Sequence, residues 1–407
     1  MQFYLLAGVV WGIIIGFTFF LPIPNRVHTE PTMRKQLMLS IFSLLMAPTY
    51  SAKAGDPLVF VSAFTSGDDG AIHAFDMNDD TGALKRVAKN TDVENPFFMA
   101  LSPDNRYLYS IHAESFGGKD NQIASYSLDG RTGKLKLLNR LTTRGRASCY
   151  IDVDAEGRAV LVANYSTGDV VSYPVKDDGS LGEIASHIRH EGSSVNPKRQ
   201  KAPYAHCFVI SPDNRFAFAA DLGIDKIMSY RLEGKSAQLS PNEPAFARVA
   251  PGAGPRHLTF HPNGRFVYVI NELDNTITVF DYATESGTLA NKQTVSTLPK
   301  NYEGTTHTAD LKITPDGKFL YGTNRGHDSI AAYSIADDGT LKLNEIVPSL
   351  GKGPQNLAIS PSGRYLLCAN MPGNNVVVFA INHKTGKITV KGDPIEVPKP
   401  SCIMLVK

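Results

Sequence analysis

The chain has 407 residues, 42% of them hydrophobic and 20% charged, enough for a large packed core rather than a disordered tract. Lys plus Arg number 41 against 39 Asp plus Glu, with no dense basic run, which excludes a nucleic-acid partner chosen by bulk charge. Four cysteines without a CxxC pair exclude both a zinc knuckle and a disulfide scaffold, and Cys149, Cys207, Cys368 and Cys402 lie in or beside apolar strand runs where a buried thiol is expected.

Residues 1–54 read as a targeting region and residues 55–407 as one domain. Phe3 to Leu21 is uncharged, apolar and long enough to cross a bilayer. A second start follows at Met33, with Arg34 and Lys35, the apolar run from Leu37 to Ala47, and the small-residue end Ala52, Lys53, Ala54. Charged, apolar and small-residue parts in that order make a secretion signal, so the mature chain is expected to begin near Gly55 outside the cytoplasm, periplasmic or extracellular. The alternative is a membrane anchor at 3–21, the only contact with a membrane that the sequence offers.

From residue 102 onward a short phrase recurs six times: SPDNR, DAEGR, SPDNR, HPNGR, TPDGK and SPSGR. Its second positions, Pro103, Ala155, Pro212, Pro262, Pro315 and Pro361, are 46 to 57 residues apart, a period that belongs to propellers or solenoids. Each copy separates two apolar runs rich in β-branched and aromatic residues, as FFMAL before and YLYSI after. A third strand follows in every unit, seven in all: AIHAFDM, IASYSL, VVSYPV, IMSYRL, ITVFDY, IAAYSI and VVVFAI. A fourth opens on Gly or a near equivalent and then Leu or Ile: GALKRV, GKLKLL, GSLGEI, QLS, GTLANK, GTLKLN and GKITVK. Four strands repeated seven times, with no amphipathic helix between them, predict an all-β, seven-bladed β-propeller of four-stranded antiparallel blades. The first unit starts at Leu58 without an inner strand, and a spare strand from Cys402 to Val406 ends the chain. That spare strand is expected to complete the first blade and close the ring, which hides the exposed edges.

Because the units are copies, they can be compared with each other. Six residues after each phrase stand His112, Asn164, Asp221, Asn271, Asn324 and Asn370, a short polar set expected to bond neighbouring backbone at a strand end. The next residues differ from blade to blade: Ala113, Tyr165, Leu222, Glu272, Arg325 and Met371. So do those six before each Pro or Ala: Phe97, Cys149, His206, Arg256, Ala309 and Gln355. Antiparallel pairing puts both sets on one rim, and the ring crowds all inner strands around one channel. His206, Arg256, Glu272, Arg325 and Gln355 are therefore expected to converge at one channel mouth, flanked by His257 and Asp310. An imidazole, a carboxylate and two guanidiniums form a group suited to an anionic substrate. The same residues also fit a rim ion pair between Glu272 and an arginine that only joins blades.

The stretches HEGSSVNPKRQKAPYAHCFVISPDNRF (190–216), GAGPRHLTFHPNGRFVYVINELDNTITVF (252–280), DGKFLYGTNRGHDSIAAY (316–333) and GKGPQNLAISPSGRYLLCANMPGNNVVVF (351–379) resemble the propeller lactonase family. That family groups the propeller type of 6-phosphogluconolactonase with fungal 3-carboxy-cis,cis-muconate lactonising enzyme. The resemblance covers residues 56–407 and implies hydrolysis of a sugar-acid lactone, with 6-phospho-D-glucono-1,5-lactone first among substrates. By resemblance to the muconate enzyme, the catalytic group falls on His206, Arg256, Glu272 and Arg325. Substrate contacts are expected from His257, Asp310, Gln355, Asn271 and Asn324. No cofactor, metal, nucleic acid or stable protein partner is implied, only a small anionic lactone. Neither a metal-ligand cluster nor a GxSxG elbow occurs in the sequence.

The sequence also departs from its relatives. Tyr204 and Cys207 stand where His and Ser are common, Asp310 and Lys312 lie in a changed segment, and Gln355 replaces a common Arg. An export signal is also at odds with a phosphorylated intermediate made inside cells. The remaining alternatives are an exported lactonase for another aldonolactone, a carboxymuconate cyclase, and a propeller that binds a ligand without catalysis.

Overall fold

The computed structural model describes residues 56–113 and 121–406; the expected targeting region 1–54, with both readings of it, lies outside the described residues. The described chain forms seven antiparallel sheets, and among the described residues no helix is long and apolar enough to cross a membrane. In chain order the inner strands are Pro96–Leu101, Ser148–Val153, Ala205–Ile210, Pro255–Phe260, His307–Ile313 and Pro354–Ile359. The C-terminal strand Pro400–Val406 is the inner strand of the first blade, paired with Leu58–Ala63 from Leu58 opposite Val406 to Ser62 opposite Cys402. Each inner strand touches the next around the ring, and Pro354–Ile359 returns to Pro400–Val406. Closure therefore joins the C-terminal strand to the first described strand by backbone hydrogen bonds.

The recurring phrase is a turn between inner and second strands in all six blades that carry it. In SPDNR the Ser102 amide donates to Tyr107 O at 2.9 Å, Ser102 Oγ donates to Asp104, and the Tyr107 amide donates to Ser102 Oγ. Ser211, Thr314 and Ser360 accept the same amide five residues on. The fourth position needs a left-handed backbone, φ 57° at Asn105 and 70° at Gly264, and Asn and Gly tolerate that region best. The repeat is thus a hydrogen-bond pattern written into the sequence.

Blades pack face to face through apolar side chains. Phe218, Val267, Val269 and Phe280 fill one seam, and Tyr268, Ile270, Leu320 and Tyr333 another, each burial contributing ~1.5–3 kcal/mol. Buried tyrosines fasten neighbouring blades: Tyr268 Oη donates to Gly339 O at 2.8 Å and Tyr321 Oη to Gly386 O at 2.9 Å. Gly339 opens a fourth strand at φ 85°, and a Cβ there would lie 2.5 Å from the Phe266 ring. Close approach explains why these strands begin on Gly. All four cysteines are free and buried in this packing, as their apolar surroundings suggest.

One outer strand departs from expectation. GSLGEI was expected to form the fourth strand of the third blade, but the strand is Ser186–Arg189 and Leu181 makes only an isolated bridge to Val175. The third strand ends at Pro174, which has no amide hydrogen to continue the ladder, so Gly182 bonds the Pro174 carbonyl and the chain bows out until Ala185.

Candidate active site

The inner strands are not regular at their first residues. Pairing steps from Ala205 to Cys207, from Pro255 to His257 and from Pro354 to Asn356, leaving His206, Arg256 and Gln355 without a partner in the ladder. A bulge inserts one residue and re-aims its side chain. Here the inserted residues turn toward the central cavity. The facing positions come one residue past the second strands, where the Glu272 amide bonds Gly254 O at 2.7 Å, and at the last residue of Phe319–Arg325. Together these ends border a cavity of about 500 Å³ that includes His206, Arg256, Glu272, Arg325, Gln355 and Tyr165.

Glu272 is the centre of this group and only 5% exposed. Its Oε2 accepts from Arg256 Nε at 3.0 Å and Arg325 Nη2 at 2.9 Å, and its Oε1 from Arg199 Nη2 at 2.5 Å. Burial pushes its carboxyl up, but the Arg325 and Arg256 guanidiniums outweigh burial and hold it well below the usual carboxylate range. His206 Nε2 lies 3.9 Å from the same Oε2. Burial, then the charges of Arg256 and His257, push the His206 imidazolium well below its ordinary range, so the ring is neutral at pH 7. Tyr165 and His257 pack edge-on against that ring at 5.1 and 5.5 Å between centroids and fix its plane.

A second layer sits under the cavity. Arg256 Nη1 donates to His257 Nε2 at 3.1 Å, and His257 Nδ1 donates to Asp310 Oδ1 at 2.9 Å. Those two bonds fix the His257 tautomer with its hydrogen on Nδ1. Asp310 also accepts from Lys312 Nζ, Asn356 Nδ2 and the Leu357 amide at 2.8, 2.8 and 2.9 Å. His257 and Asp310, expected among the substrate contacts, are placed beneath the cavity wall with their polar atoms already used, where they orient Arg256. Replacing Asp310 by Asn is expected to lower stability by about 2 kcal/mol at pH 7 by weakening bonds to a buried anion, measured as a shift of the denaturant midpoint at unchanged slope. Lys312, His257 and the Leu357 amide hold the folded carboxyl below its free value despite burial. Its contribution is therefore complete above about pH 4 and lost on acidification, so the gap between wild type and variant should close there.

Two other expected contacts are also placed elsewhere. Asn271 is fully buried with Nδ2 donating to Thr276 and Thr278, and Asn324 ties Thr297 and Ser329 across its strand end. Both serve the strand-end architecture expected of the polar set. Gln355 does border the cavity, its Oε1 accepting from Arg325 Nη1 at 3.3 Å. The departures Tyr204 and Cys207 lie behind this group: Tyr204 stacks on Tyr165 at 5.0 Å and Cys207 is buried in a blade seam.

Comparing equivalent blade positions could not reveal Arg199, which comes from the loop after the third blade. That loop is anchored by Gln200 Nε2 to Leu222 O and Asp225 Oδ1 at 2.9 and 2.8 Å. The only signal was the HEGSSVNPKRQ insertion itself, which no propeller repeat requires.

A family model described as "Lactonase, 7-bladed beta-propeller" matches residues 58–405. The 6-phosphogluconolactonase of Bacillus subtilis strain 168 is 34% identical over 346 residues, 84% of this chain and 97% of the relative. The 6-phosphogluconolactonase of Formosa agariphila is 36% identical over 335 residues, 81% and 94% of the two chains. Among solved structures, the periplasmic gluconolactonase of Pseudomonas aeruginosa superposes with a TM-score of 0.81 at 31% identity, covering 86% of this chain and 99% of that one.

Proposed function

The chain belongs to the seven-bladed β-propeller lactonase family, and from that premise we propose that it hydrolyses a sugar-acid lactone at the cavity around Glu272. The observation that carries this reading is the charge of the group: three guanidiniums meet one carboxylate beside a neutral imidazole. The uncompensated positive charge favours an anionic substrate and an oxyanion. 6-Phospho-D-glucono-1,5-lactone is the leading substrate, in line with the names of the bacterial relatives.

In the proposed reaction a water within reach of His206 Nε2 and Glu272 Oε2 attacks the lactone carbonyl carbon as His206 takes its proton. The Arg256 and Arg325 guanidiniums stabilise the oxyanion. Collapse breaks the bond to the ring oxygen, which leaves as the sugar hydroxyl with the proton from His206, and the product is the open-chain acid. Glu272 is a poor base because its carboxyl is held so acidic. Its part is to align the guanidiniums and to favour the imidazolium that forms beside it.

A second reading is favoured by the signal-like order of residues 33–54 and by the periplasmic gluconolactonase relative. An exported enzyme would meet an unphosphorylated aldonolactone more readily than a cytoplasmic phosphate ester. Purified residues 55–407 tested by proton release on freshly made 6-phosphogluconolactone and on glucono-1,5-lactone decide between the two. Folded protein that accelerates neither above the spontaneous rate would remove the lactonase proposal.

A further inference from the structure

We infer that Lys352 is a specificity-determining residue for this cavity, reading a phosphate monoester carried by the lactone at the end remote from its carbonyl. The inference rests on the lactonase reading above and adds the residue that reads the phosphate. Two chemically different kinds of group border the cavity. His206, Arg256, Glu272 and Arg325 form the bonded cluster suited to the carbonyl, whereas Lys352 borders the same cavity outside that cluster, three residues before Gln355, whose Oε1 accepts from Arg325 Nη1. The cationic side chains bordering it are Arg256, Arg325 and Lys352, and both arginines already bond Glu272. No ion pair or hydrogen bond engages the Lys352 ammonium among the described residues, so its charge is available to a ligand.

Asp328, which also borders the cavity, does not pair with it. Asp328 Oδ1 accepts the Gly326 and Gly353 amides at 3.1 and 2.8 Å and makes no salt bridge to Lys352. The backbone around Lys352 is nonetheless fixed. Gly373 N donates to Lys352 O at 3.0 Å, Met371 N to Gly353 O at 3.1 Å, and Ser349 Oγ to Gly351 O at 3.0 Å. A pinned loop therefore holds a solvated ammonium at the cavity wall. Such a group adds little to folding but attracts a dianion strongly, and it acts as a point charge that needs no single geometry. With the lactone carbonyl against His206 and Glu272, a phosphate elsewhere on the same molecule meets Lys352 within this cavity of about 500 Å³.

Steady-state kinetics of wild type, Lys352→Gln and Lys352→Arg on 6-phosphogluconolactone and glucono-1,5-lactone test this. Lys352→Gln should raise KM for the phosphorylated lactone roughly tenfold with kcat changed less than about twofold, and leave the unphosphorylated lactone within about twofold. Lys352→Arg should restore most of the affinity, and the wild-type preference should shrink when salt rises from about 0.05 to about 0.5 M. An equal loss on both lactones, or no change on either, overturns the inference. Should wild type hydrolyse neither lactone, calorimetry with 6-phosphogluconate and gluconate separates this idea from the lactonase reading. Preference for 6-phosphogluconate lost in Lys352→Gln upholds it; equal binding of the two acids, or an unchanged affinity in the variant, refutes it.

Discussion

Glu272→Gln is expected to lower kcat on the preferred lactone by about 10³-fold or more and to destabilise the propeller by about 3 kcal/mol at pH 7. Both effects come from one carboxylate. Arg199, Arg256 and Arg325 all point a guanidinium at it, and Arg256 is itself only 2% exposed. A glutamine keeps the shape but leaves three cations facing a neutral amide whose NH2 has nothing to donate to. Arg199 and Arg325 are about a third and a quarter exposed and relax into solvent, so the loss sits at the low end for a broken buried pair. Catalysis suffers more, because the guanidiniums lose the alignment that aims them at the oxyanion and the imidazolium loses its counter-charge. The folded carboxyl is held below its unfolded value, so its stabilisation is complete above about pH 4.5 and lost as pH falls toward the folded value. Denaturant unfolding at pH 7 and pH 4 should therefore show a gap between wild type and variant that narrows in acid. The double variant Glu272→Gln with Arg325→Gln separates two roles, since it should recover part of the stability and none of the turnover. Wild-type turnover in a destabilised Glu272→Gln would show that the carboxylate only joins blades.

How far these residues could be read from the sequence depended on repetition. Seven copies of a third strand and six of one turn give the blade count directly, and the unpaired ends at Leu58 and Val406 give the closure. Repetition also exposed the rim, since Glu272 and Arg325 break a pattern that Asn271 and Asn324 keep. The bulges at His206 and Arg256 were invisible, because a bulge changes hydrogen-bond partners and not the residue spacing on which the comparison rests. His257 and Asp310 were named, but their layer was not. Adjacent residues on a regular strand point to opposite faces, and the bulge overrides that rule, so neither could be told apart from a substrate contact. Arg199 and Lys352 were missed for another reason. Both lie in loops between blades, outside the strand-end positions compared: Arg199 belongs to an insertion with no counterpart, Lys352 matches Ala253 of GAGPR, and only the folded ring brings Arg199 to Glu272 and Lys352 to the cavity. Pro174 is a smaller instance: its missing amide moved an outer strand that composition alone placed at GSLGEI.

His206→Asn should cost about 10²–10⁴-fold in kcat/KM, the range for removing a positioned general base. The pH profile carries the argument further than the rate. An exposed imidazole would give wild type an acid limb near pH 6.5. Burial, reinforced by Arg256 and His257, holds His206 far below that, so wild-type kcat/KM should stay level from about pH 6 to 8 and fall only in stronger acid. In the variant the remaining rate should lack the acid limb. Stability offers an independent check on the same shift. A folded imidazole more acidic than the unfolded one stabilises the native state fully above about pH 6.5 and loses that contribution as pH falls toward the folded value. Wild type should then lose stability between pH 7 and pH 5 that the Asn variant does not lose. An acid limb near 6.5 in wild type, or a variant with the same limb, would show that His206 is neither buried in the way its neighbours require nor the base. A rate loss without any change in the profile would leave it a wall of the cavity, and the water would have to be activated by Glu272 against the pull of three arginines.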